Sequence, residues 1–352
     1  MDTQPFEQSQ EHNQPQEPLE SQLDLNEQQE QNQLEPAPPR QITKEYVTRL
    51  KAEINTIVQQ QDALTDLALT ALLAGGHVLV EGVPGLAKTL WARTVSQVMD
   101  MEFKRVQFTS DLMPSDILGT KVFNLKSGEF ELRKGPLFSQ LFLADEINRT
   151  PPKTQSALLE VMEERAITID GTRHILDEPF FVMATQNPVE YEGTYPLPEA
   201  LLDRFMMKIL LTYPGVAAEK RVLQMYHEGF NSVNLTPKTI CTAEDIAACR
   251  AEIAKVRVEE EIMNYIVSIV ETTRRVGAIL YGSSPRGSVA LLLASKAYAA
   301  IQGRDFVIPD DIRTLCTPIL RHRVILKPEA EMDGIKIDDV IEQILAQVKV
   351  PR

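Results

Sequence analysis

Apolar and polar positions recur with two different periods along the chain, and the change of period divides it. Residues 43–74 space Ile54, Ile57, Val58, Leu64, Leu67, Ala68, Ala71 and Leu72 at helical intervals, which predicts helices carrying apolar stripes. Short apolar runs then alternate with helical stretches: His77–Glu81, Phe103–Phe108, Leu141–Ala144, Pro179–Ala184 and, as a fifth, Met206–Leu211. Buried strands separated by helix-length segments predict a mainly parallel sheet with helices on both faces. Two hairpins interrupt the pattern. Val122–Leu125 and Phe130–Leu132 flank Ser127-Gly128, while Ile167–Ile169 and Thr172–Leu176 flank Asp170-Gly171, a strong short-range hairpin signal. Beyond Pro214 the strand signal fades, and 243–350 reads as amphipathic helices, with Ile262, Tyr265, Ile266, Ile269 and Val270 on one stripe. The expected architecture is an α/β core over 41–214 followed by a linker and a smaller all-α lid over 215–352. No solenoid repeat is visible.

Composition adjusts this picture at the N-terminus. Of the net charge of −14, most sits in residues 1–40, where nine carboxylates face Arg40 alone. That segment is rich in Gln, Glu and Pro and cannot bury enough apolar surface to order itself, so it reads as a disordered acidic tail. It serves as solubilising padding or binds a partner. The remainder is only mildly acidic, which disfavours nucleic acid as a partner, since phosphate neutralisation needs surplus Lys and Arg. No apolar run reaches the ~18 residues of a membrane span, and the polar start is not a secretory signal. Cys241, Cys249 and Cys316 form no Cys-x-x-Cys pair, so they read as buried structural thiols in a cytoplasmic protein.

Candidate chemistry begins after the first strand. Gly82-Val83-Pro84-Gly85-Leu86-Ala87-Lys88-Thr89 follows a strand and opens a helix, the context of a phosphate-binding loop. Gly82 and Gly85 let the backbone turn its N–H groups onto phosphate oxygens, and the following helix aims its positive end at them. Lys88 is expected on the β- and γ-phosphates, and the Thr89 hydroxyl on Mg²⁺. Ala87 stands where the pattern usually has Gly; a helical backbone there is expected to accept it. The helix buries Leu90, Trp91, Val95 and Val98 on one face. Taken alone, the segment also fits a glycine-rich turn before a helix.

Leu141–Ala144 runs into Asp145-Glu146. Ligands of parallel sheets bind at the carboxyl ends of strands, so Asp145 is a candidate support for Mg²⁺ and Glu146 for the attacking water. A solvated acidic turn is the bland alternative. The next strand ends in Thr185-Gln186-Asn187-Pro188, where Asn187 suits a water-positioning amide and an ordinary Asn-Pro turn is the alternative.

The stretches GVPGLAKT, QFTSDLMPSDILG, DEINRTPPKTQSALLEVMEE, ATQNP, EGTYPLPEALLDRF and SSPRG resemble the AAA+ superfamily, and within it the MoxR family, over residue 41 to the C-terminus. The resemblance implies an AAA+ phosphate-loop ATPase core using ATP and Mg²⁺. It implies that Arg204 is an arginine finger reaching a neighbour's γ-phosphate and Arg286 the sensor-2 arginine of the lid. It implies the two hairpins are the helix-2 insert and the pre-sensor-1 hairpin, facing a pore or a partner; simple edge extensions are the alternative. The activity implied is ATP hydrolysis in a ring, a hexamer, that remodels or matures partner proteins, often ones with a von Willebrand factor A domain. A chelatase-type ATPase subunit, a nucleotide-gated scaffold and a DNA-dependent motor are the rival readings. Where relatives often carry Val-Gly-Gln near the adenine pocket, this chain has Val58-Gln59-Gln60, which leaves the adenine contacts unassigned. His322, between Arg321 and Arg323, reads as a basic surface or interface residue rather than a metal ligand.

Overall fold

A computed structural model describes residues 41–59, 61–188, 193–231 and 236–351. The acidic tail, Gln60 and the Glu192 end of the EGTYPLPEALLDRF stretch lie outside the described residues. Two helices, α1 (Ile42–Ile57) and α2 (Asp62–Leu73), lead into β1 (Val78–Glu81), the phosphate loop and α3 (Lys88–Val98). The chain continues through β2 (Phe103–Gln107), α4 (Pro114–Leu118), β3 (Gly119–Asn124), β4 (Glu129–Lys134), β5 (Leu141–Asp145) and α5 (Pro152–Glu164). It then forms β6 (Ala166–Ile169), β7 (Thr172–Ile175), β8 (Phe181–Gln186), α6 (Glu199–Leu202) and β9 (Met207–Leu210).

Five strands form one parallel sheet in the order β2-β5-β8-β1-β9. Both faces are buried, as parallel sheets require. Leu141, Leu143, Phe181, Met183, Val78 and Val80 pack with Trp91 and Leu69 on one side. On the other side, Phe142, Ala144, Val182, Ala184 and Leu79 pack with Leu158 and Phe205. Trp91 is fully buried, and its indole N–H donates to Thr65 Oγ1 at 2.9 Å, fixing α3 against α2. The Phe103–Phe108 run departs from the buried strand its composition suggests. β2 is an edge strand with Lys104 and Arg105 exposed, and only Phe108, beyond its end, is fully buried.

Both hairpins form, β3–β4 and β6–β7, each a separate two-stranded antiparallel ladder. Asp170 and Gly171 both take positive φ (47° and 76°), the backbone a two-residue hairpin turn needs to match strand twist.

The rest is largely helical: α7 (Val216–His227), α8 (Ala243–Ala254), α9 (Glu260–Thr273), α10 (Pro285–Ile301), α11 (Pro309–Leu320), α12 (Pro328–Met332) and α13 (Ile337–Gln347). A short antiparallel ladder of β10 (Ile279–Tyr281) with β11 (Ile325–Leu326) joins the connection between α9 and α10 to the one between α11 and α12; runs this short carry no alternation to read. The lid shares one apolar cluster with α1, α2 and α3. Tyr46 OH donates to Asp245 Oδ1 at 2.6 Å, tying α1 to α8. Cys241, Cys249 and Cys316 are free and buried. Burial pushes their thiols up to about 12, about 11 and about 12 respectively, which suppresses thiolate chemistry.

Candidate functional site

The carboxyl ends of β1, β5 and β8 converge on one cavity of about 910 Å³, within the range of ligand pockets. Pro84, Gly85, Leu86, Ala87, Lys88 and Thr89 line it from the loop, with Asp145, Glu146 and Asn187 from the neighbouring strand ends. Gly82 and Val83 complete the turn out of β1. Gly82 N–H donates to Gln186 O at 3.2 Å, and a Cβ on Gly82 would stand 2.9 Å from that of Leu211. A close approach of backbone to a neighbouring strand exit therefore requires glycine. Gly85 takes φ 86°.

Ala87 overturns an expectation. Its backbone is left-handed (φ 56°, ψ 19°), not helical. The Ala side chain is thus strained by about 1 kcal/mol or somewhat more relative to Gly.

Lys88 Nζ donates to Gly82 O at 2.6 Å, so the ammonium folds across the mouth of its own loop. Partial burial pulls it below its usual pKa, against the opposite pull of Asp145, Glu146 and Glu81. A cation held among backbone N–H groups and a helix N-terminus fits a polyphosphate. Among the described residues no three His, Cys, Asp or Glu side chains cluster for a metal. Thr89 and Asp145 together suit a cation that keeps most of its ligands as phosphate oxygens and water, as Mg²⁺ does.

The acidic pair sits in a network that the linear motifs do not announce. Thr185 Oγ1 donates to Asp145 Oδ1 at 2.6 Å and accepts the Glu146 N–H at 2.9 Å. Arg105 grips Asp145 Oδ2 through Nε (3.0 Å) and Nη2 (2.8 Å). Gln107 Nε2 donates to Glu146 Oε2 at 2.5 Å, and Arg149 Nη1 does so at 2.9 Å. Glu146 itself is left-handed (φ 56°), which turns its side chain out of the strand direction. Arg105 and Gln107 are two apart on β2 and Gln107 pairs with Asp145 across the ladder, so both face the same way. Alternation over Arg105-Val106-Gln107 is the available signal in the sequence.

At its other end the cavity is apolar, lined by Ile57, Val58, Tyr213, Tyr226 and Phe230, with Gln59 and Gln61 beside them. A heteroaromatic base matches such walls.

Arg204 and Arg286 are not among the residues lining the cavity. Both meet Glu163 instead: Arg204 Nη2 pairs with Glu163 Oε2, and Arg286 Nη2 lies 3.5 Å from Oε1. Arg204 Nε is buried with no hydrogen-bond partner among the described residues. Of the two places expected for His322, surface or interface, it takes an internal interface. Its Nε2 lies 2.8 Å from Phe205 O in the seam between lid and core, and burial there pushes it well below its usual pKa.

A phosphate loop and an acidic strand end on a sheet of this order define an ATPase core of the phosphate-loop class. Residues 77–207 match the ATPase family associated with various cellular activities (AAA), and 271–344 match the AAA lid domain. YeaC of Bacillus subtilis is 49% identical over 298 residues, spanning 85% of this chain and 92% of that protein. Chaperone MoxR1 of Mycobacterium tuberculosis is 41% identical over 312 residues (85% and 81%), and MoxR of Methylorubrum extorquens 30% over 331 (88% and 96%). A solved structure from Cytophaga hutchinsonii, 42% identical, superposes with a TM-score of 0.83 over 94% of this chain and 100% of that one. The chain belongs to the MoxR family of AAA ATPases. No helix among the described residues is long and apolar enough to cross a membrane.

Proposed function

We propose that this chain hydrolyses ATP with Mg²⁺ in a hexameric ring and uses the cycle to remodel or mature partner proteins. The distribution of charge within one chain carries this reading. Lys88, Thr89, Asp145, Glu146 and Asn187 share a cavity, whereas Arg204 and Arg286 stand outside it, held on Glu163. Two guanidinium forks meeting on one carboxylate are disposed to bind a phosphoryl group in pairs. A head-to-tail ring would supply that group from the neighbouring cavity. Arg286, the lid's sensor-2 arginine by resemblance, acts in this reading on the same neighbour as Arg204.

Within the cavity, the backbone N–H groups of Gly85 to Thr89 and the Lys88 ammonium would hold the triphosphate, and Thr89 and Asp145 would hold Mg²⁺. The metal, when bound, neutralises charge developing between the β- and γ-phosphates. Glu146 and Asn187 orient the attacking water. Glu146 must first leave Gln107 and Arg149. The relative named a chaperone supports a protein as the client, as do the exposed Phe123, Leu125 and Phe130 of the first hairpin. A partner with a von Willebrand factor A domain fits the same reading, as do buried free thiols in a cytoplasmic protein.

Steady-state hydrolysis measured against protein concentration tests this. Specific activity should rise as rings assemble, and Arg204→Ala should lower it on the order of 10³-fold or more while nucleotide binding persists. Wild type that binds ATP but does not turn it over at any concentration, with or without client, would instead favour a nucleotide-gated scaffold. A co-purifying metal-inserting enzyme would favour a chelatase-type subunit.

A further inference from the structure

We propose that Arg323 is a positioning residue for the two arginines, clamping the Asp203–Met206 segment so that Arg204 and Arg286 are presented together to the neighbouring subunit. The inference rests on the ring reading above and extends it to a residue outside both the cavity and the arginine pair.

Arg323 follows α11 in the bend before β11, with its side chain only 3% exposed. Its Nε donates to Asp203 Oδ1 at 2.9 Å. Nη2 donates to Asp203 O (3.1 Å) and Phe205 O (2.8 Å). Nη1 donates to Met206 O (3.0 Å) and Ile319 O (2.5 Å). A guanidinium has five N–H donors, and five protein oxygens receive them, four on the short segment that contains Arg204; His322 Nε2 also lies 3.0 Å from Nη1. That segment spans the gap between α6 and β9, its N–H groups taken up by Glu199, Leu201, Leu202 and His77 carbonyls and its own carbonyls facing the lid. Arg323 donates from the lid to three of those carbonyls, on Asp203, Phe205 and Met206.

The same carboxylate reaches the second arginine. Asp203 Oδ2 lies 3.4 Å from Ser284 Oγ and 3.5 Å from Arg286 Nη1, at the start of α10. Charges therefore alternate in one chain: Arg323, Asp203, Arg286, Glu163, Arg204. Lid and core each contribute, so the lid's position sets where Arg204 points. A lysine could not reproduce this, because its ammonium is a point donor while the fork reaches acceptors on several sides.

Arg323→Lys and the near-isosteric Asp203→Asn are the test variants, the second guarding against a folding defect in the first. Nucleotide affinity, read with a fluorescent ATP analogue, should stay within a factor of about two. By contrast kcat should fall on the order of 10²-fold with KM little changed, since a misplacement near 1 Å costs that much. A structural defect alone would also lower kcat, so mixed rings decide. Arg323→Lys protomers keep an intact cavity, and Glu146→Gln protomers keep intact arginines. Neither works alone, but random head-to-tail mixing at equal amounts should restore roughly a quarter of wild-type activity. Arg204→Ala mixed with Glu146→Gln is the control. If the control recovers and neither test variant does, Arg323 has no positioning role and the proposal fails. If the control does not recover either, the arginines do not act across subunits, and the ring reading falls together with this one.

Discussion

The cavity and the arginine chain hold opposite charges in opposite ways. Around the cavity, Lys88, Asp145 and Glu146 meet partners that a ligand can displace: a loop carbonyl, Arg105, Gln107 and Arg149. In the seam, Arg323 is dry and its five bonds run mainly to backbone that cannot move without the fold. One region is built to be rearranged by a ligand, the other to hold a geometry still. A charge-assisted bond can serve either end, and burial decides which.

The largest expected effect falls on the rearrangeable side and separates its two halves. Glu146→Gln keeps shape and leaves the phosphate cradle, so nucleotide should still bind while hydrolysis falls about 10²–10⁴-fold. Lys88→Ala removes the cation over the cradle and should abolish measurable binding as well. Equal loss of binding in both variants, measured by calorimetry, would mean that Glu146 shapes the cradle itself and that the two halves are not separable.

The same contrast explains what the sequence discloses. Strand ends and the phosphate loop are local: Asp145 follows directly on an apolar run, Asn187 closes a strand two polar residues later and Lys88 ends a loop between a strand and a helix, so all three are legible from position alone. Hairpin turns are legible for the same reason, Asp170-Gly171 above all. The seam is not. Arg323 and Asp203 are 120 residues apart, and nothing in Arg321-His322-Arg323 says that its cations face carbonyls rather than water. His322, set between two arginines, reads as a surface or interface residue because charged side chains almost never bury unpaired, and the partners are invisible in one dimension. Arg105 escapes for a milder version of that reason: a run closed by Phe103 and Phe108 with Lys104, Arg105 and Gln107 between them reads as buried until the sheet order makes it an edge.

Acid should find the buried side first. Burial drives His77, at the foot of the sheet, from 6.5 down to about 4, and pushes His322 well below its usual value. Between about pH 6.5 and 4 the unfolded chain binds protons that the native chain refuses, so stability rises with pH across that window. Its full value is present above pH 6.5. The His77 share lost by pH 4 is roughly 3 kcal/mol. Denaturant midpoints at pH 7, 6 and 5 measure the slope, which His322→Gln should reduce by the seam's share. A flat profile would show both rings already solvated, and the dry seam with them.

The smallest effect lies in the loop itself and has a sign that sequence reasoning gets wrong. A helical backbone at Ala87 would make Ala→Gly destabilising, because Gly costs up to about 1 kcal/mol in a helix. The left-handed backbone at that position reverses the expectation. There an L side chain costs about 1–2 kcal/mol, and removing it outweighs the extra freedom Gly gives the unfolded chain. Ala87→Gly should therefore raise stability by a few tenths of a kcal/mol to about 1 kcal/mol, or at most a few degrees in Tm for a chain of this size. The gain should belong to the nucleotide-free protein. If the loop keeps its left-handed turn when phosphate is bound, the gain will be the same with saturating ATP analogue. If the turn relaxes on binding, the midpoints of wild type and variant will converge as ligand is added. Convergence would make the cradle's own backbone one of the parts that nucleotide rearranges, alongside Lys88 and Glu146. A gain independent of ligand would confine the rearrangement to side chains.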